Sequence, residues 1–216
     1  MKLLLPYIFV LIVIFNYILR RGSTKQQKRT DEFWEKERKA NLTRKQDISK
    51  LDYITISNNL PQLNNDQALA LAVSDNKTLL RRFEEIEHLK DKKILNLSSI
   101  SNTDLKLEYG PANLNLLSEY DDNYTTLVKN LAIIGHELIN LGLKDKACIF
   151  LEYGIQLNTD IKSNYSDLAI LYIENNEESK LDELIKKANT LNSINKEIIL
   201  AQLEELKTNQ KIIFNE

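Results

Sequence analysis

Only one cysteine, two histidines, five glycines, three prolines and one tryptophan occur among 216 residues, and each scarcity excludes something. The lone Cys148 cannot form an internal disulfide. With only His88 and His136 beside it, no four-ligand Cys/His zinc cluster can be assembled. The glycines stand singly, at 22, 110, 135, 142 and 154, so the chain has neither a glycine-rich phosphate loop nor a Gly-x-Ser-x-Gly nucleophile turn. Few residues that interrupt helices implies many helices. Overall charge is close to balance, at −2, so composition alone asks for no polyanionic or polycationic partner. Its distribution is uneven. Residues 20–50 hold 11 Lys/Arg against 5 Asp/Glu, whereas residues 51–216 hold 17 against 26. The chain is basic near its start and acidic in its body.

Residues 3–19, LLLPYIFVLIVIFNYIL, form an uncharged run between Lys2 and Arg20-Arg21. Seventeen helical residues span roughly 26 Å, near the lower limit for a bilayer core of about 30 Å. The run ends without a small-x-small cleavage site, so it reads as an uncleaved transmembrane anchor and not as a secretory signal. Arg20, Arg21, Lys25, Lys28 and Arg29 follow it, and the positive-inside rule then places the C-terminal body in the cytoplasm of a single-pass cell-membrane protein. Those five cations are the expected contacts to anionic lipid, with RRGSTKQQKR held against the headgroups. Lipid is the closer polyanion for them, and no nucleic-acid partner is expected.

Beyond the anchor (residues 1–21), a basic juxtamembrane segment (22–50) is expected to carry a helix starting at Thr30, with Thr30 as N-cap and Asp31-Glu32 in its first turn. Trp34 is expected to pack on the folded body. Residues 51–123 are expected to be mainly helical and to pack on the C-terminal third of the chain. Leu51–Ile56 alternates and reads as a short extended segment, helices are predicted at 66–73 and 77–90, and 92–97 is a brief extended link. Leu79, Leu80, Phe83, Ile86 and Leu89 form the apolar stripe of the second helix. Gly110-Pro111 opens a predicted helix over 111–119.

The last third repeats itself with a shift of 34 residues. Leu131 falls on Tyr165, Ile134 on Leu168, Gly135 on Ala169, Leu138 on Tyr172, Leu151 on Ile185, Gly154 on Ala188 and Leu157 on Leu191. Leu131, Ile134, Gly135, Leu138, Ala147 and Leu151, then Tyr165, Leu168, Ala169, Tyr172, Leu181 and Ile185, resemble the signature of the tetratricopeptide repeat. Leu181 stands where that family has a small residue, and Thr159 and Ser193 stand where it closes with proline. With the transmembrane helix read from residues 3–19 at the N-terminus, the resemblance implies an all-α fold with little or no β, in which helix-turn-helix repeats at about 128–161 and 162–195 form an α-solenoid within residues 124–216. Residues 196–207 would supply a capping helix.

The resemblance further implies a peptide-binding groove lined by Lys129, Ala132, His136, Ile139 and Asn140 in the first unit and by Ser163, Ser166, Ile170, Ile173 and Glu174 in the second. It implies an unknown protein or peptide partner there, and no catalysis. The expected function is therefore a membrane-anchored interaction scaffold or adaptor without cofactor or metal. The alternative is an accessory subunit of a membrane translocation or cell-envelope complex, with the body outside the cytoplasm. The stretch His136-Glu137-Leu138-Ile139-Asn140 begins like a zinc-binding H-E-x-x-H helix but carries Asn140 where the second histidine belongs. A lone imidazole is a poor zinc site. Cys148 is expected to be a small buried hydrophobe.

Overall fold

The computed structural model describes residues 4–214; within its two terminal helices the side chains of 4–6, 8, 9, 20 and 210–214 lie outside the description. Among the described residues the chain is all-α. The helices are α1 (Leu4–Asn41), α2 (Gln67–Val73), α3 (Lys77–Leu89), α4 (Asn102–Tyr109), α5 (Leu114–Asn140), α6 (Lys144–Gln156), α7 (Lys162–Glu174), α8 (Glu178–Asn189) and α9 (Lys196–Phe214). The chain divides into two compact units, Met1–Lys50 with Ile100–Asn115, and Leu51–Ser99 with Leu116–Glu216. The boundary expected at 123/124 thus falls inside α5.

In the first unit the expected helix start at Thr30 is corrected. α1 runs unbroken through Gly22 and Thr30, and the Thr30 hydroxyl donates back to the Gln26 carbonyl at 3.0 Å, the bond of a helix-interior threonine. Residues 25–29, KQQKR, are good helix formers and no proline interrupts them. Of the expected anchor the structure gives the helix, but among the described residues no helix is long and apolar enough to cross a membrane. The apolar run has 17 residues where about 20 are usual, and its first residue, Leu3, lies outside the described residues.

Further along α1, Ala40 is buried, as is Leu105 on α4. Glu37 accepts from the Thr103 hydroxyl at 2.7 Å and from Lys106, while Lys36 meets Asp104 at 2.6 Å. Trp34 is not buried on the body as expected: it is exposed and stacks edge-on against Phe33. α4 itself is absent from the sequence-based expectation. Ser101 caps it, accepting from the Asp104 amide at 3.2 Å and donating to the Asp104 carboxylate at 2.6 Å. Gly110 follows with φ +84, under the Arg44 carbonyl, and Pro111 begins a single 3-10 turn (Pro111–Asn113). The helix predicted for 111–119 thus begins as a short turn and continues from Leu114 as the 27-residue α5, past its expected end.

The second unit is built around α5. α2 and α3 start at Asp66 and Asn76, whose side chains accept from the Leu69 and Leu79 amides. Of the predicted α3 stripe, Leu79, Phe83, Ile86 and Leu89 are buried and Leu80 is partly so. Phe83 meets Phe150 of α6 edge-on, with ring centres 5.6 Å apart. The extended segments 51–56 and 92–97 do not form strands; the Ile54 amide donates to the Ile94 carbonyl at 2.9 Å, and Tyr153 holds the first segment through Thr55 and Ser57.

Two helical hairpins follow, α5–α6 and α7–α8, and the 34-residue shift is visible in their backbones. Gly142 and Asn176 both take left-handed conformations, at φ 75 and 57. Each closes its helix with the same bonds: Leu143 to Leu138 and Glu177 to Tyr172, both 2.8 Å, and Gly142 to Ile139 and Asn176 to Ile173, 2.9 and 3.1 Å. Leu131, Ile134, Gly135 and Leu138 of α5 are buried, and so are Tyr165, Leu168, Ala169 and Tyr172 of α7. α9 starts 34 residues after α7 and buries Ile199 and Leu203 at the first and third of those registers. It packs against both α7 and α8 and runs past the expected end at 207.

Candidate functional site

The apolar stripes of α5, α7 and α9 turn their opposite side outward. On α5 that side is Lys129, Ile133, His136 and Asn140, spaced i, i+4, i+7 and i+11, and all four are exposed. The same registers on α7 are Ser163, Asp167, Ile170 and Glu174, with only Asp167 half-buried; on α9 they are Glu197, Ala201, Glu204 and Thr208, all exposed. His136 Nδ1 lies 2.9 Å from Asp167 Oδ2 and so ties α5 to α7 across this face. Lys144 at the start of α6 reaches Glu174 at 2.8 Å. Ile133 and Ile170 expose 37% and 40% of their surface, leaving an aliphatic spot among polar neighbours.

Most of the residues expected to line a groove lie on this face: Lys129, His136, Asn140, Ser163, Ile170 and Glu174 are exposed, and Ser166 is half-buried. Three differ. Ala132 is buried, and Ile139 and Ile173 are half-buried against the core, because each follows directly on a buried position, Leu131, Leu138 or Tyr172, and sits at the stripe edge. Sequence reasoning missed Ile133, which the i+4 step from Lys129 would have found, and it missed the α9 positions because that helix was read only as a cap. Glu137, the acid of the HELIN stretch, is half-buried beside the exposed His136 and Asn140. Among the described residues no group of three His, Cys, Asp or Glu side chains gathers as metal ligands.

A second concavity lies on the other side of α7. Glu152 and Ile155 of α6, Leu168 and Tyr172 of α7, and Lys180 and Leu184 of α8 line a cleft of about 560 Å³. The Tyr172 hydroxyl donates to Glu152 Oε1 at 2.8 Å, and the Lys180 ammonium stands 5.3 Å from the Tyr172 ring centre. Burial and the adjacent Glu152 carboxylate raise the Tyr172 hydroxyl above its ordinary range. The same two causes push the Cys148 thiol up to about 12. It is half-buried and donates to Glu152 Oε1 at 3.5 Å. A thiol so held is a poor nucleophile at neutral pH.

On α1, Arg21, Lys25, Lys28 and Arg29 are exposed at i, i+4, i+7 and i+8, one face of the helix; the Arg20 side chain lies outside the described ones. Upstream, Val10 to Phe15 and Tyr17 to Leu19 are exposed on every side of the helix. No protein-family model, no curated protein and no solved structure matches the chain.

Proposed function

We propose that the chain is a membrane-anchored adaptor: α1 holds it in a bilayer, and tetratricopeptide-like repeats formed by α5–α6 and α7–α8 offer the outward side of α5, α7 and α9 to another protein. It acts by binding and not by catalysis. The observation that carries the reading is the recurrence of burial and turn geometry at 34 residues, in which each hairpin packs on the next and repeats the same exposed registers. A surface repeated in this way suits an extended partner. The anchor is supported by the apolar segment of α1, where six consecutive residues, Val10 to Phe15, face outward on all sides. A helix apolar all round needs an apolar surrounding.

Anchoring through a continuous helix changes the lipid contacts expected from sequence. Arg21 stands two residues after Leu19, at headgroup depth, whereas Arg29, ten residues after Leu19, stands about 15 Å along the axis. Only the first cations of the basic stripe then serve as lipid contacts.

The test has three parts. The full chain should pellet with membranes and resist alkaline carbonate, and deleting residues 4–19 should release it; release of the intact chain would refute the anchor. Photo-crosslinkers at His136 and Ile170 should capture a discrete protein from cells that one at Ser179 on α8 does not, and equal capture would refute the docking face. A cysteine at Ser179, in a chain with Cys148→Ala, should react with an impermeant maleimide only after the cells are opened. Reaction in intact cells would place the body outside and favour the cell-envelope alternative.

A further inference from the structure

We infer that the face shared by α5, α7 and α9 is built for a cationic segment with an aliphatic anchor, its apolar residue over Ile133 and Ile170 and its cations toward α9. This rests on the adaptor reading above and names the chemistry of the partner. At the twelve repeated registers stand four carboxylates, Asp167, Glu174, Glu197 and Glu204, against the single ammonium of Lys129. The acids are not spread evenly. α5 contributes none of them, while the exposed Glu197 and Glu204 lie on one face of α9 about two turns apart, and Glu197 and Glu205 line a depression of about 490 Å³ with Ile198, Ala201 and the Lys162 of α7. Three of the four acids have neighbours: Glu174 meets Lys144, Asp167 meets His136, and Glu204 lies near enough to Lys207 to act on its charge. Against Lys162 and Lys196, and with Lys207 paired to Asp182, the three acids Glu197, Glu204 and Glu205 still leave the α9 end net negative, and the aliphatic pair marks the other. An acidic partner would meet repulsion along α7 and α9, whereas a basic one gains attraction that steers its approach and fixes its direction.

The probe is the heptapeptide Lys-Ser-Lys-Leu-Lys-Ser-Lys, with versions carrying Glu or Gln in place of Lys, titrated by fluorescence anisotropy onto the full chain in nonionic micelles with empty micelles as blank. The Lys peptide should bind most tightly and weaken steeply as salt rises. Glu197→Lys with Glu204→Lys should weaken it by about tenfold or more and should favour the Glu peptide. Glu84→Lys with Asp91→Lys, which removes as many acids from another surface, should change it by less than about twofold. Equal binding of the three peptides, equal effects of the two double variants, or no binding at all would overturn the inference. The adaptor reading falls separately, by its own tests: if the photo-crosslinkers at His136 and Ile170 capture nothing that the one at Ser179 does not, or if the intact chain is released from membranes.

Discussion

Replacing Gly135 by alanine tests the closeness of the two helices in the first hairpin. A Cβ at this position would stand 2.6 Å from both Cγ and Cδ2 of Leu151, more than 1 Å inside the ordinary carbon contact of about 3.8 Å. Leu151 is fully buried on α6, so its retreat must displace packed neighbours. Two effects compete. Alanine in the middle of a helix gains about 1 kcal/mol over glycine, and overpacking a filled core costs about 1–3 kcal/mol. The clash should cancel or outweigh the gain, leaving a net loss of up to about 2 kcal/mol and lowering the midpoint of thermal unfolding by up to about 8 °C for a chain of this size. Circular dichroism reads this directly. Leu151→Ala alone should cost about 2–5 kcal/mol, but in the double variant the new methyl enters the vacated space, and the sum should fall short of additivity by at least about 1 kcal/mol. A stabilised Gly135→Ala protein, or strict additivity, would show that the helices are not this close.

Three further outcomes rest on particular side chains. Gly142 is left-handed with open space around it, so Gly142→Ala should cost about 1 kcal/mol from backbone strain alone, and Gly142→Asn distinctly less, because Asn176 already makes the same turn in the second hairpin; urea titration ranks the two. The bonds from Lys106 and Thr103 hold the Glu37 carboxyl below its ordinary range. A depressed carboxylate contributes stability that is present above its unfolded value of about 4.3 and is lost as pH falls through the lower folded value. The protection of amides 33–41, the exchange rate relative to the intrinsic rate at the same pH, should therefore fall in acid, and Glu37→Gln should flatten that dependence. With its thiol pushed up to about 12, Cys148 should react with a maleimide at pH 8 more than about a hundredfold more slowly than a cysteine of ordinary pKa near 8.5, and urea should abolish the difference; fast labelling of the native chain would contradict its placement.

The sequence carried the second unit further than the first. The stripes from Leu79 to Leu89 and from Leu131 to Leu138 are long-range apolar patterns with one solution, and they lie where their periods put them. Thr30-Asp31-Glu32 reads as a helix start because threonine and early acids favour that position, yet the same residues are tolerated inside a helix that is already propagating. α4 was missed because eight residues hold only one buried side chain, Leu105, and no period shows; its legible signal was the pair Ser101 and Asp104. The cleft over Tyr172 could not be read at all, since Glu152, Tyr172 and Lys180 come from three helices and meet only after packing. The outward face of α5, α7 and α9 was half legible, because the residues that line it are those the core does not claim.

An unbroken α1 transmits rotation as well as distance. Between the apolar residues near Leu19 and the Glu37 that grips α4 there is no swivel, because Gly22 and Thr30 are helical. Each residue turns the helix by about 100°, so the azimuth of the basic stripe and that of Glu37 are locked to the orientation of the apolar segment. One residue inserted between them would advance the far end by only about 1.5 Å but turn it by more than a quarter of a circle. Length along this helix is forgiving; phase is not.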